Sequence, residues 1–164
     1  MASPSVLPRG GASVGRVDAD EARGRFAAAR VARLATVAAD GAPHLVPVVF
    51  AVVDDVVWSA VDDKPKSTRA LRRLANIAAH PRVSLLVDHY DDDWTRLWWV
   101  RADGTARVLE PTDSVTRAGR DALVARYPQY EHRPPGGPFV AVDVDAWRGW
   151  SARQPRAERG QSTS

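Results

Sequence analysis

The chain has 164 residues, 45% of them hydrophobic, which is one domain of ordinary size able to bury a sizeable core. It contains no cysteine, so disulfides, thiolate metal sites and cysteine nucleophiles are excluded. No stretch is long and apolar enough to cross a membrane, and the opening MASPSVLPRGGASVGR lacks the apolar run of a signal peptide, so a cytoplasmic protein is expected.

The pI near 9.8 would suggest nucleic acid if the charge sat on a folded face. It sits in the tails. Residues 1–16 carry +2 and residues 148–164 carry +3, which leaves the middle of the chain at −2. Arg69, Arg72 and Arg73 within RALRRLANIAA have the spacing of a solvated helix face, so no specific nucleic-acid partner is expected. A nucleic-acid-associated protein would show steep salt-dependent binding that vanishes with the tails.

In chain order, residues 1–16 are rich in Ser, Pro and Gly and read as a disordered tail. Asp18 to Arg30 reads as a helix, with acidic residues first and Phe26, Ala28 and Ala29 on one face. Asp40-Gly41 between two β-forming runs is a strong hairpin signal, and a second tight turn at Asp54-Asp55 leads into VVWSAV. Ala32 to Val61 is therefore expected as a three-stranded antiparallel meander. Ser67 to Ala79 reads as a helix, Arg82 to Tyr90 as a strand, and Leu97 to Leu109 as a long strand with a bulge or kink at Gly104. Pro111 suits the first turn of a helix running to Arg126. Tyr127 to Pro138 reads as loop. FVAVDVDAWRGW closes the fold as a strand with Val140, Val142 and Val144 on one face, and 149–164 reads as a disordered basic tail.

Six strands without βαβ alternation imply a mainly β (α+β) fold, an antiparallel barrel with flanking helices spanning 17–148. No G-x-G-x-x-G is present to support a dinucleotide site of the parallel-sheet kind.

The chemistry concentrates in AVDDKPKSTRALRRLANIAAHPRVSLLV, residues 60–87. Lys64, Lys66, Ser67 and Thr68 stand at the mouth of the predicted helix. Unpaired backbone N–H groups and the positive end of the helix dipole favour an anion there, and a phosphate suits it best. Pro65 fixes a turn that can direct both ammonium groups to one anion. The plainer reading is a solvated loop with Ser67 as an ordinary helix cap, and the residues alone leave both open.

Pro47 in the strand HLVPVVF suits an edge, or a place where something other than a strand faces the backbone. Trp98 and Trp99 must point to opposite faces of their strand. Trp94 and Arg96 precede that strand and can stack on or pair with a conjugated ligand. The run Asp91-Asp92-Asp93 lacks the spaced oxygens of a calcium loop, and His44, His80, His89 and His132 show no metal-binding spacing, so no metal is expected. There is no G-x-S-x-G and no arguable triad. No catalytic side chain is named.

The order strand, K-x-K-S loop, helix ending in I-x-x-H-P and V-S-L-L-V strand resembles the pyridoxamine-phosphate-oxidase-like flavoprotein superfamily. The run DHYDDDWTRLWWVRADGTARVLEP, Asp88 to Pro111, resembles one subgroup of its actinobacterial branch, which uses the deazaflavin coenzyme F420. The resemblance spans roughly Val17 to Trp147. It implies an FMN-binding split-barrel type of fold and a homodimer with cofactor at the subunit interface. It also implies that Val46, Pro47 and Val48 offer backbone groups and an apolar wall to the cofactor ring. Trp58 and Ser59 fall where relatives touch the ring or its ribityl chain, although Trp58 suits the core equally. Lys64, Lys66, Ser67 and Thr68 would take the cofactor phosphate, and Trp94 and Arg96 would reach the partner's cofactor.

The implied function is an F420-dependent oxidoreductase passing hydride from the reduced coenzyme to an electron-poor small-molecule substrate. Two alternatives stand beside it: an FMN-dependent pyridoxamine-phosphate-oxidase-like enzyme, and a non-catalytic F420 or flavin carrier. FMN-using relatives place arginine before the phosphate loop, and VVWSAV has none.

Overall fold

Runs of alternating apolar residues build one antiparallel sheet in the computed structural model, which describes residues 15–61 and 68–152. Its strands are β1 (Gly15–Val17), β2 (Ala32–Val37), β3 (Pro43–Val48), β4 (Ala51–Val53), β5 (Val56–Ala60), β6 (Arg82–His89), β7 (Trp98–Leu109) and β8 (Phe139–Ser151). The helices are α1 (Ala19–Ala28), α2 (Thr68–Ala79), α3 (Thr116–Arg126) and the single turn α4 (Gln129–His132). The sheet thus has eight strands where six were expected. One addition is β1, too short to carry a periodic signal, which owes its extended form to pairing of Gly15–Val17 with Gly149–Ser151. The other arises because the expected strand through residues 43–53 breaks in two at Val49 and Phe50.

That break shapes the whole fold. The strand order is β3-β2-β6-β7-β8-β5-β4, so β3 and β4 lie at opposite ends of the path although only two residues join them. Two residues span only about 7 Å. The sheet therefore curls until its two ends approach, giving a half-closed barrel rather than the meander expected for Ala32–Val61. At the corner, Phe50 is fully buried, its ring 4.8 Å from that of Phe26. Its N–H donates to the Tyr127 hydroxyl at 3.0 Å, and its carbonyl lies 2.8 Å from the same hydroxyl.

The concave side of the sheet is filled by Phe26 and Ala22 of α1, Ile77 of α2, and inward residues of the strands, among them Leu34, Val57, Leu85, Val87, Val100, Val140 and Val142. Asp18 caps α1, its carboxylate accepting the Glu21 N–H at 2.8 Å. α2 is tied to the sheet through buried side chains: Asn76 Nδ2 donates to Thr36 Oγ1 at 3.0 Å, and that oxygen lies 3.4 Å from His44 Nδ1 on β3. Among the described residues the other side of the sheet is covered where α3 and α4 pack Leu123, Tyr127 and Tyr130 on Ala51, Trp58, Ala60, Phe139 and Ala141.

Both turn signals hold. Gly41 takes φ +86° in the β2–β3 hairpin, and Asp54 takes φ +52° between β4 and β5. The register shift between Asp103 and Gly104 is the expected irregularity in β7; a Cβ at Gly104 would stand 2.3 Å from the carbonyl oxygen of Asp143. Other expectations need correction. The helix expected from Pro111 begins at Thr116, because 110–115 forms turns closed by Asp113, whose carboxylate accepts the Glu110 N–H and whose carbonyl accepts the Thr116 hydroxyl. The expected loop 127–138 contains α4. The boundaries drawn at 16/17 and 148/149 fall inside β1 and β8.

Gly119 in α3 faces the Trp58 indole, and a Cβ there would lie 2.3 Å from Cδ2 and Cε3 of the ring. Gly→Ala inside a helix ordinarily gains about 1 kcal/mol. Overpacking a closed core costs about 1–3 kcal/mol, and a ring backed by Leu123 and Phe139 has little room to yield, so the clash wins. Gly119→Ala is expected to lower the melting temperature by several degrees. A rise in Tm would show that the indole moves aside freely.

Candidate functional site

β3 is the edge strand at one end of the sheet path, which leaves the backbone groups facing away from β2 without ladder partners among the described residues. Pro47 lies in this edge, paired with Arg33, as its missing N–H requires. Val48 is buried in the core and Val46 packs against it, so their side chains point inward. The outward apolar wall is made by Leu45, 66% exposed, with Pro47 beside it. Val46 and Val48 face outward only through their backbone.

On β5, Trp58 and Ser59 are both 6% exposed and point to opposite faces. The Trp58 indole is core, packed beneath α3. The Ser59 hydroxyl makes no hydrogen bond to another described residue. Beyond Val61 the chain leads to Lys64, Lys66 and Ser67, which lie outside the described residues, and resumes with Thr68 as the first residue of α2.

Trp94 and Arg96 are elsewhere. They form a 3-10 turn, Trp94–Arg96, capped by the Asp93 side chain accepting the Thr95 N–H. Trp94 is 76% exposed. The Arg96 guanidinium is held 3.0 Å from Asp91, whose carboxylate also lies 3.7 Å from His89. The register shows how far this turn is from the end of β5, beyond which the chain leads to the lysine segment. Ala60 pairs with Phe139, which pairs with Leu109 at one end of the β7–β8 ribbon; Trp98 pairs with Ser151 at the other. The twelve residues of β7 run from one end to the other, about 36 Å along the strand.

Sequence reasoning missed the outer face of the β3-β2-β6-β7 half of the sheet, which no described helix covers. A trough of about 460 Å³ crosses it, lined among others by Leu45, Arg33, Leu86, Asp88, Trp99 and Arg101. The apolar members became visible as a group only once the register placed them side by side. Arg33 pairs with Asp88 at 2.7 Å. Asp103 gathers the Ser84 hydroxyl at 2.6 Å, Arg101 and the Arg148 guanidinium at 2.6 Å. Partial burial pushes the Asp103 carboxyl up, but the Ser84 and Arg101 hydrogen bonds, the Arg101 charge and the Arg148 hydrogen bond together hold it below the usual carboxylate value. Among the described residues no group of histidines and carboxylates is placed to hold a metal ion.

This fold has solved counterparts. A FAD-binding protein of Mesorhizobium loti aligns with 25% identity over 84% of this chain and 95% of its own, with a TM-score of 0.65. A conserved hypothetical protein of Mycobacterium tuberculosis aligns with 26% identity over 90% of this chain and 95% of its own, also at 0.65. A heme-binding protein of Mycobacterium smegmatis shares the fold at 21% identity and TM-score 0.65, over 92% of this chain and 57% of its own. A search of the curated proteins finds no match to the sequence. The family model described as pyridoxamine 5'-phosphate oxidase matches residues 19–151, which takes in α1 and everything through β8. With the curled antiparallel sheet and its flanking helices agreeing, the chain belongs to the pyridoxamine 5'-phosphate oxidase family.

Proposed function

We propose that two copies of this chain form a homodimer holding a flavin-type cofactor at the subunit interface, that this cofactor is the deazaflavin coenzyme F420, and that the protein is an oxidoreductase acting on an electron-poor small molecule. The observation that supports this reading is that the end of β5, from which the chain leads to Lys64, and the turn holding Trp94 stand at opposite ends of the β7–β8 ribbon. In one copy, β5, which precedes Lys64 to Thr68 in the chain, finishes at one end, and Trp94 and Arg96 stand at the other. A two-fold pairing through the bare outer face lets one copy's Trp94 turn meet the other's β3 edge. Leu45, Leu86 and Val37 are 66%, 37% and 39% exposed there and gain a surface to bury against.

The chain's own residues suit such a group. Lys66, Ser67 and Thr68, with Lys64 beside them, receive the phosphate at the start of α2. The β3 edge at Val46, Pro47 and Val48 presents backbone groups and an apolar rim to the flat ring. The Ser59 hydroxyl, which no described residue hydrogen-bonds, supplies a hydrogen bond, while Trp58 contributes only through its backbone. Arg96 has to exchange Asp91 for the ligand or act as an Arg96–Asp91 pair. When bound, the ring supplies the hydride chemistry; the protein supplies position and exclusion of water.

The FAD-binding relative at 25% identity favours a second reading, a true flavin in the same place. The absence of arginine from VVWSA favours F420 over FMN. Titrating the protein with F420 and with FMN separates the two, and oxidation of the bound reduced form by added acceptors separates enzyme from carrier. Lys66→Ala is expected to weaken binding by roughly ten- to a hundredfold, the worth of one charge-assisted hydrogen bond, and by less at high salt. Wild-type affinity in that variant at low salt overturns the phosphate assignment.

A further inference from the structure

We propose that the hollow between Trp99 and Trp150 is a binding site for a flat, uncharged, conjugated molecule of about two fused rings that carries a hydrogen-bond acceptor. The register places Trp99 directly opposite Trp150 on neighbouring strands. Aromatic side chains so placed ordinarily pack on one another. Here neither ring stacks on another aromatic among the described residues, whereas the adjacent Trp98 lies parallel to His89 at 6.2 Å. The splayed indoles leave a hollow of about 260 Å³, completed by Tyr90, Leu97 and Trp98.

The lining selects the ligand class. It contains no charged side chain, so an ion entering would lose its hydration with no counter-charge in return. Its walls are π faces and one leucine, which reward a planar conjugated molecule. Among the described residues the single tryptophan whose indole N–H is hydrogen-bonded is Trp147, to Asp55 at 3.1 Å. Among the described residues the indole N–H groups of Trp99 and Trp150 have no acceptor, and a carbonyl or similar group on the ligand would satisfy one of them. The volume falls just under the roughly 300–1,000 Å³ usual for ligand pockets, which suits two fused rings better than three or four.

This site deepens the proposed function, and rests on it in one respect. The hollow adjoins the outer-face trough, sharing Tyr90 and Trp99 with it, and lies at the Trp94 end of the ribbon. In the dimer described above it faces the partner's cofactor and becomes the seat of the hydride acceptor. Whether the hollow binds such a molecule can be measured without any cofactor, so the two ideas fail separately.

The test uses cofactor-free full-length protein and 2-acetylnaphthalene, two fused rings with one carbonyl, followed by quenching of tryptophan fluorescence. Saturable quenching is expected. Tyr90→Ala should weaken it at least fivefold; this residue is 80% exposed, so its truncation leaves the fold intact. Trp150→Ala should weaken it tenfold or more. 2-Ethylnaphthalene, which has the shape without the acceptor, should bind several-fold more weakly than the ketone. Three results would each overturn the proposal: no saturable quenching in wild type, wild-type affinity in both variants, or light scattering showing that the probe binds only by splitting the dimer. Equal binding of the two naphthalenes would overturn the role given to the indole N–H groups. If the probe binds as expected but neither F420 nor FMN does, the hollow stands and the cofactor reading falls.

Discussion

Tyr127→Phe is expected to lower the stability of this protein by about 2–3 kcal/mol, a fall in melting temperature of roughly 5–10 °C for a domain of this size. The hydroxyl serves four groups. It accepts the N–H of Phe50 at 3.0 Å, lies 2.8 Å from the carbonyls of Phe50 and Arg30, and receives Arg126 Nε at 3.3 Å. Its one proton goes to one carbonyl, and its lone pairs take the donors. Tyr127 is 2% exposed and Phe50 0%, so water cannot replace what is removed. The cost is therefore that of leaving a buried N–H unmet, which exceeds the net worth of an ordinary hydrogen bond. The position matters as much as the burial, because Phe50 is the corner where β3 ends and β4 begins. Loosening it frees the edge strand on which the proposed site depends, so the variant should also bind cofactor more weakly. Tyr90→Phe, at an exposed tyrosine, is the matched control. A Tyr127→Phe melting temperature within a degree of wild type would show that the corner is held by the Phe26–Phe50 packing alone.

That corner also explains what the sequence could not disclose. Local features were legible because they depend on neighbouring residues: the Asp18 cap, the Asp40-Gly41 and Asp54-Asp55 turns, the Gly104 irregularity, and the Val140, Val142 and Val144 face. PHLVPVVFAVV, by contrast, reads as one strand from any window of its own residues. It bends because Tyr127, 77 positions away, takes both backbone groups of Phe50. β1 is strand only because β8 offers an edge to it, and α3 starts late because Asp113 closes turns first. The candidate site follows the same division. Pro47 announced an edge and the structure has one, while the inward Val46 and Val48 side chains and the Trp58 core position depend on faces set by the curl. The outer trough was invisible, since Leu45, Leu86 and Trp99 come from three strands whose register no local pattern fixes.

The separation of the end of β5, which precedes Lys66 in the chain, from the Trp94 turn leads to a sharper expectation about a mixed dimer. Lys66→Glu should abolish tight cofactor binding by repelling the phosphate, and Trp94→Ala should weaken it by removing an exposed indole worth about 1 kcal/mol or more in a stacked complex. If each site takes Lys66 from one copy and Trp94 from the other, a heterodimer of the two variants has one site with both lesions and one with none. Random mixing makes half the dimers heterodimers, so roughly a quarter of all sites should recover wild-type affinity. If each site is instead built within one copy, every site in the mixture carries one lesion and none recovers. Co-expression under two affinity tags, followed by titration of the doubly tagged fraction, reads the outcome directly: half-stoichiometric tight binding in the first case, and none in the second. The strand register favours the first, because the end of β5, from which the chain leads toward Lys66, and the strand start beside Trp94 lie at opposite ends of β7, a contour of about 36 Å.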